Sequence, residues 1–269
     1  MRSAILGLAL AALTAAAFSA RADEAERISR IERGLTPRVQ VAGRAYVPVS
    51  VEAQMRALAV PGVSIAFVDG GRIAWTRTYG LADPATGQAV SVDTLFQAAS
   101  ISKPVAAMAA LDMVEDGLLS LDAPVNDRLS GWKIPDNALT AQTPVTLRHL
   151  LSHSGGLTVG GFPGYAAGVE LPTVEQILNG AAPANTAPVV VDLAPGLRQR
   201  YSGGGVTVAQ LLMIQAAGTN FAELMQARVL RPLGMTASAY AQPLLTSQSD
   251  RAATGHRADG EATPGRFHT

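Results

Sequence analysis

Phe96-Gln97-Ala98-Ala99-Ser100-Ile101-Ser102-Lys103-Pro104, running on through an almost uncharged segment to Met113, is the stretch that decides how this chain reads. It places Ser100 and Lys103 three residues apart where a helix of about 101–116 is expected to begin. Residues i and i+3 share one face of a helix, so the serine hydroxyl and the lysine amine are expected side by side. A serine is a weak nucleophile until a neighbour takes its proton, and a lysine takes a proton only when neutral. Val105 to Leu111 is apolar on every side, which predicts a buried helix, and burial disfavours the ammonium. The positive end of the helix dipole acts in the same direction. Pro104 suits a first helical turn and Gly117 a C-cap. The same residues also read as an ordinary N-cap serine before an apolar helix.

Upstream, Val63–Val68 and Arg72–Tyr79 flank the turn Asp69-Gly70-Gly71 and predict a β-hairpin, with a second turn at 82–87. Residues 23–34 are charged and helix-prone, with Ile28 and Ile31 on one stripe. Downstream the pattern turns helical. Thr146 is expected to cap a short helix over Leu147–Ser152 that Gly155-Gly156 terminates. Thr173 with Gln176 forms a capping box, and Gly180 stops that helix. Residues 181–196 read as extended. Thr207–Ala217 reads as an apolar helix, and Asn220 as the cap of another that runs to about Leu230 and stops at Pro232.

Bulk properties narrow the function. The 269 residues carry 21 Lys+Arg and 21 Asp+Glu, and no basic patch stands out, which argues against a nucleic-acid partner. With no cysteine, disulfides, thiol catalysis and Cys-ligated metals are excluded. Arg2, the apolar run Ala4–Phe18 and the A-x-A site Ala20-Arg21-Ala22 predict a signal peptide over 1–22. The protein is therefore expected in the periplasm or outside the cell, with no stable membrane span after leader cleavage.

A second chemical group lies in Arg200-Tyr201-Ser202-Gly203-Gly204-Gly205. Glycines let backbone approach closely, and a tyrosine held there could exchange protons with a Ser/Lys pair if the lysine's charge lowered its pKa. It could equally be a tyrosine packed at a loop–helix junction. His153 follows a helix end, where an imidazole can bond the last carbonyls, and reads as structural. His149 and His153 are four apart without the glutamate of a metalloprotease motif, so no metal is expected. Gly62-Val63-Ser64-Ile65-Ala66 lacks the final glycine of a nucleophile elbow.

Together these segments resemble the serine β-lactamase-related family of class C β-lactamases, D-alanyl-D-alanine carboxypeptidases and related esterases. The resemblance rests on Phe96–Lys103, Glu115–Val125, Leu150–Leu157, Tyr201-Ser202-Gly203 and Arg231-Pro232-Leu233-Gly234-Met235, in that order over about residues 50–240. It implies an α/β plus all-α fold of the β-lactamase/transpeptidase type, an antiparallel sheet flanked by helices with an inserted helical domain. The expected parts are an N-terminal portion of the α/β domain over 23–100, a mostly helical domain over 101–240 and a polar tail over 241–269. The resemblance assigns Ser100 as the acylated nucleophile, Lys103 and Tyr201 as its proton-handling partners, and Gly203 as a substrate-binding position where the β-lactamase pattern usually has Asn. That departure favours an esterase or general acyl hydrolase over a β-lactamase or D-Ala-D-Ala carboxypeptidase; a non-catalytic homologue is the alternative of another class. The implied partner is a small ester or amide, a β-lactam or D-peptide among the options, and no cofactor is implied. The family's third motif, Lys-Thr-Gly or His-x-Gly, is not found in 206–269. The closing strands are therefore expected to be absent from this chain, leaving a C-terminally truncated homologue of reduced activity.

Overall fold

Helix α1 covers residues 24–33 and buries Ile28. A computed structural model describes residues 24–269, so the expected signal peptide lies outside the described residues. The described chain divides into two compact units, 24–92 with 256–262, and 93–255 with 263–269.

In the first unit, Ser50 caps helix α2 (Val51–Ala57), its Oγ accepting from Ala53 N at 3.1 Å. Strand β1 (Gly62–Asp69) pairs antiparallel with β2 (Arg72–Asp83), from Gly62 opposite Gly80 to Asp69 opposite Arg72. A short β3 (Gln88–Ala89) completes the order β1-β2-β3. The expected hairpin forms, and β2 runs four residues further than the alternation suggested. Phe67 and Trp75 face each other across the ladder with ring centroids 5.2 Å apart. Tyr79 on β2 donates to Glu32 on α1 at 2.7 Å.

The second unit is helical: α3 (Ser102–Glu115), α4 (Ala138–Gln142), α5 (Leu147–Leu151), α6 (Val174–Asn179), α7 (Gly203–Ala217), α8 (Phe221–Met225) and α9 (Thr246–Ser249). Three of the start signals act as read. Thr146 and His149 form a capping box on α5, Thr173 and Gln176 another on α6, and Asn220 caps α8 by accepting from Glu223 N at 3.0 Å. Gly180 ends α6 in the left-handed region at φ 60°. After α8 the chain continues as a π-helical turn, Gln226–Leu230, from which Arg228 reaches Asp112 on α3 and Asp116 at its C-cap. The core gathers around α7. Met113, Leu147, Leu150, Leu178, Val208, Met213 and Met225 are each no more than 1% exposed. Each such side chain contributes roughly 1.5–3 kcal/mol of burial.

Two expectations are corrected. Helix α3 is buried on one side only: Ala106, Ala109, Ala110 and Met113 face the core, while Met108 and Leu111 remain 47% and 49% exposed. The buried residues fall on the i, i+3, i+4, i+7 stripe, the pattern of a helix packed on one face. Helix α7 begins at Gly203 rather than near Thr207, so the glycine cluster is its first turn and not a loop. Among the described residues no helix is long and apolar enough to cross a membrane.

Candidate active site

The approach to Ser100 is a tight 3-10 turn, Ala99–Ile101, that leads into α3. Ile101 N donates to Ala98 O at 3.0 Å to close it. Ala99 sits at φ +44°, a region L-residues avoid at a cost of order 1–3 kcal/mol, and such strain gathers at functional sites. Ser100 is not the cap of α3. The N-cap position belongs to Ile101, with no side-chain cap bond, and the Ser100 hydroxyl is left for chemistry. Lys103 Nζ donates to Ser100 Oγ at 3.0 Å, the contact that the i, i+3 spacing predicted. Ser100 is exposed and Lys103 only half-buried, so the full burial expected to disfavour its ammonium is not found.

Tyr201 comes from the segment that leads into α7, two residues before its first residue. Lys103 Nζ lies 5.2 Å from the centre of its ring. Hydrogen bonding from Lys103, then from Ser100, holds the Tyr201 phenol below its ordinary pKa; burial opposes this, and the charge of Lys103 adds the smallest contribution. Ser100, Lys103 and Tyr201 thus form one cluster, although Lys103 and Tyr201 are 98 positions apart in the chain.

The local sequence explains how Tyr201 is held. Ser202 caps α7, its Oγ accepting from Gly205 N and donating to Thr158 O, each at 2.8 Å. Gly203 N donates to Gly160 O at 3.2 Å and Gly204 N to Val159 O at 2.9 Å. A Cβ at Gly204 would sit 2.7 Å from Val189 Cγ2 and 2.8 Å from Thr158 O, so only glycine permits this approach. Gly203 is buried at the mouth of the same approach, 3.1 Å (from an added Cβ) to Phe162 Cε2 and 3.3 Å to Gly160 O.

His153 is the residue that sequence reasoning placed wrongly. Its imidazole does not bond the carbonyls of α5. Nδ1 accepts from Ser202 N at 3.2 Å, and the ring lies 4.4 Å from that of Tyr201, tilted by 35°. Burial, and then the charge of Lys103, push its pKa below the usual histidine value, opposed by the Ser202 contact. Among the described residues no group of three or more His, Asp or Glu side chains could hold a metal ion, and His149 Nδ1 is engaged with Thr146 N.

An exposed serine on a strained turn, a lysine on its hydroxyl and a tyrosine of lowered pKa can together perform acyl transfer. The Beta-lactamase family model matches residues 50–268. This chain belongs to the Beta-lactamase family. Among its relatives, Esterase EstB of Burkholderia gladioli is 32% identical over 206 residues, covering 73% of this chain and 50% of that protein. Penicillin-binding protein 4* of Bacillus subtilis is 25% identical over 195 residues, covering 70% and 40%. Among solved family structures, EstCE1, described as a hydrolase with promiscuous acyltransferase activity, matches with a TM-score of 0.62 and 26% identity over 79% of this chain and 56% of that one. The chain spans about half the length of the curated relatives it matches. The β-lactamase/transpeptidase-like fold expected from the sequence is the fold of these neighbours.

Proposed function

We propose that this protein is a serine hydrolase that works through an acyl-enzyme on small carboxylic esters. The observation that carries the reading is the cluster of Ser100, which follows the strained Ala99, with Lys103 on its hydroxyl and Tyr201 beside Lys103. Ser100 Oγ attacks the ester carbonyl while Tyr201, as phenolate stabilised by the Lys103 ammonium, takes its proton. The Ser100 backbone N–H faces the developing oxyanion as one of its donors. Collapse of the tetrahedral intermediate breaks the C–O bond, and Tyr201 returns the proton to the departing alkoxide. Water then attacks the acyl-enzyme, gives its proton to Tyr201, and the acid leaves as Ser100 recovers a proton.

Gly203 supports esters over β-lactams. The family's β-lactamase pattern has an amide side chain at this position. Here the Phe162 ring and the Gly160 carbonyl, which already accepts from Gly203 N, occupy the space beside the glycine, and there is no side-chain amide to read a substrate amide. Export to the periplasm or beyond follows from Arg2, the apolar run and the A-x-A site, and a mature N-terminus at Asp23 checks it.

The test is hydrolysis of p-nitrophenyl acetate and butyrate beside nitrocefin, with Ser100→Ala as control. Ester turnover that falls to background in Ser100→Ala, with nitrocefin slower, supports the reading. Nitrocefin turnover exceeding ester turnover would favour the β-lactamase reading. Ester turnover unchanged by Ser100→Ala would overturn the assignment of Ser100.

A further inference from the structure

We propose that His153 is a positioning residue for Tyr201, a role that rests on the reading of Tyr201 as the base for Ser100. Two contacts carry it. The imidazole lies against the phenol ring at 4.4 Å, and its Nδ1 accepts the backbone N–H of Ser202, the very next residue, at 3.2 Å. One side chain therefore grips both the ring and the backbone that carries it. A third contact ties the same two segments together, with Arg200 N donating to His153 O at 2.7 Å. Residues 200, 201 and 202 are in this way all held against position 153.

The geometry fixes the state of the imidazole. An acceptor at Nδ1 carries no proton, so the ring is the neutral Nε2–H tautomer. Protonation would set a second N–H against Ser202 N–H and break the grip. The surroundings resist protonation: burial and the Lys103 ammonium both oppose the imidazolium. The charged and titratable groups around it are Lys103 on α3, Tyr201 before α7 and, on its backbone side, the Arg200–Asp192 pair. On its own segment, the His149 Nδ1 is already engaged with Thr146 N.

Backbone geometry narrows which residues can do this. His153 has φ +56°, a left-handed conformation that His, Asn, Asp and Gly accept far better than most residues. Among these, His alone offers an aromatic face together with an acceptor.

The experiment separates face from acceptor. His153→Phe keeps a ring and loses the acceptor; His153→Asn keeps an acceptor near the Nδ1 position and does not titrate. Two readouts are taken on the whole chain: the rate at which a fluorophosphonate labels Ser100 across pH, and the ionisation of Tyr201 by NMR of 13Cζ-labelled tyrosine, assigned with Tyr201→Phe. In His153→Phe the Tyr201 titration moves up towards that of a free phenol. Labelling there slows by at least about tenfold, short of the roughly 10²-fold that a misplacement of 1 Å can cost. In His153→Asn the titration stays low, labelling stays within about threefold, and the acid-side loss that belongs to His153 disappears. His153→Gly, which relaxes the backbone, must reproduce the His153→Phe shift and covers the case in which the phenylalanine does not fold. A folded His153→Phe and His153→Gly that both keep the wild-type Tyr201 titration and labelling rate would overturn the proposal. If Ser100 never labels in the wild type but Tyr201 still answers to His153, the hydrolase reading fails and the positioning role stands.

Discussion

Leu211, Leu212 and Met213 on α7 are no more than 3% exposed, whereas Val68 and Ile73 near the β1–β2 turn are 59% and 67% exposed. Both segments are rich in apolar residues. The helices of the second unit cover one another, so α7 meets α3, α5, α6 and α8 within its own unit. The hairpin has Trp75 and Ala82 buried, while Val68, Ile73 and Leu81 stay exposed. Hydrophobic content therefore does not tell the two regions apart; packed neighbours do. The proposed chemistry stands on the packed region: Ser100 and Lys103 around the start of α3, Tyr201 and Ser202 just before α7.

Substitutions can break that contrast, and the largest effect is expected at the site. Tyr201→Phe should lower kcat/KM for an ester by about 10²–10⁴-fold while leaving the melting curve in place, since it removes a proton acceptor and no packing. Enzyme assay and circular dichroism on the same preparation check both halves. Next in size is Leu150→Ala in the helical core, expected to cost about 2–5 kcal/mol in urea unfolding, because the cavity adds to the lost transfer energy. Gly204→Ala follows at about 1–3 kcal/mol, from forcing a methyl onto Val189 and the Thr158 carbonyl. Smallest is Ile73→Ser on the open hairpin, expected within about 0.5 kcal/mol. If Ile73→Ser cost as much as Leu150→Ala, the two regions would be equally packed in solution and the contrast would be lost.

A pH experiment sharpens the same point. The Tyr201 phenol is held below its ordinary value chiefly by Lys103. In the proposed mechanism the phenolate is the active form, so kcat/KM should rise with pH through a midpoint below about 10, the free-phenol value. Lys103→Met removes the hydrogen bond and the charge, and should move that limb upward. A limb that stays put in Lys103→Met would mean that Lys103 does not tune Tyr201.

Much of this was legible because local chemistry wrote it. The Thr146/His149, Thr173/Gln176 and Asn220/Glu223 caps are short-range bonds between residues three apart, and each was readable from side-chain type alone. Ser100 and Lys103 were legible for the same reason. Three features were not. The start of α7 was hidden because Gly203, Gly204 and Gly205 have poor helix propensity, which the Ser202 cap and the tight packing against Val189 override. The one-sided burial of α3 depends on which partners the helix meets, and periodicity cannot show that over Val105–Leu111, where every position is apolar. His153 was missed because its partners, Tyr201 and Ser202, lie about 50 residues away. The available signal was a histidine, which tolerates φ > 0, set at a helix end before Ser154-Gly155-Gly156.

The central claim is that Ser100 is an activated nucleophile, and intact-mass spectrometry after exposure to a fluorophosphonate tests it most directly. A single adduct, mapped to the peptide holding Ser100 and absent in Ser100→Ala, is the predicted result. No adduct on a chain whose helical unit is shown to be folded by hydrogen exchange, or an adduct that survives Ser100→Ala, would contradict the account and favour a non-catalytic member of the family.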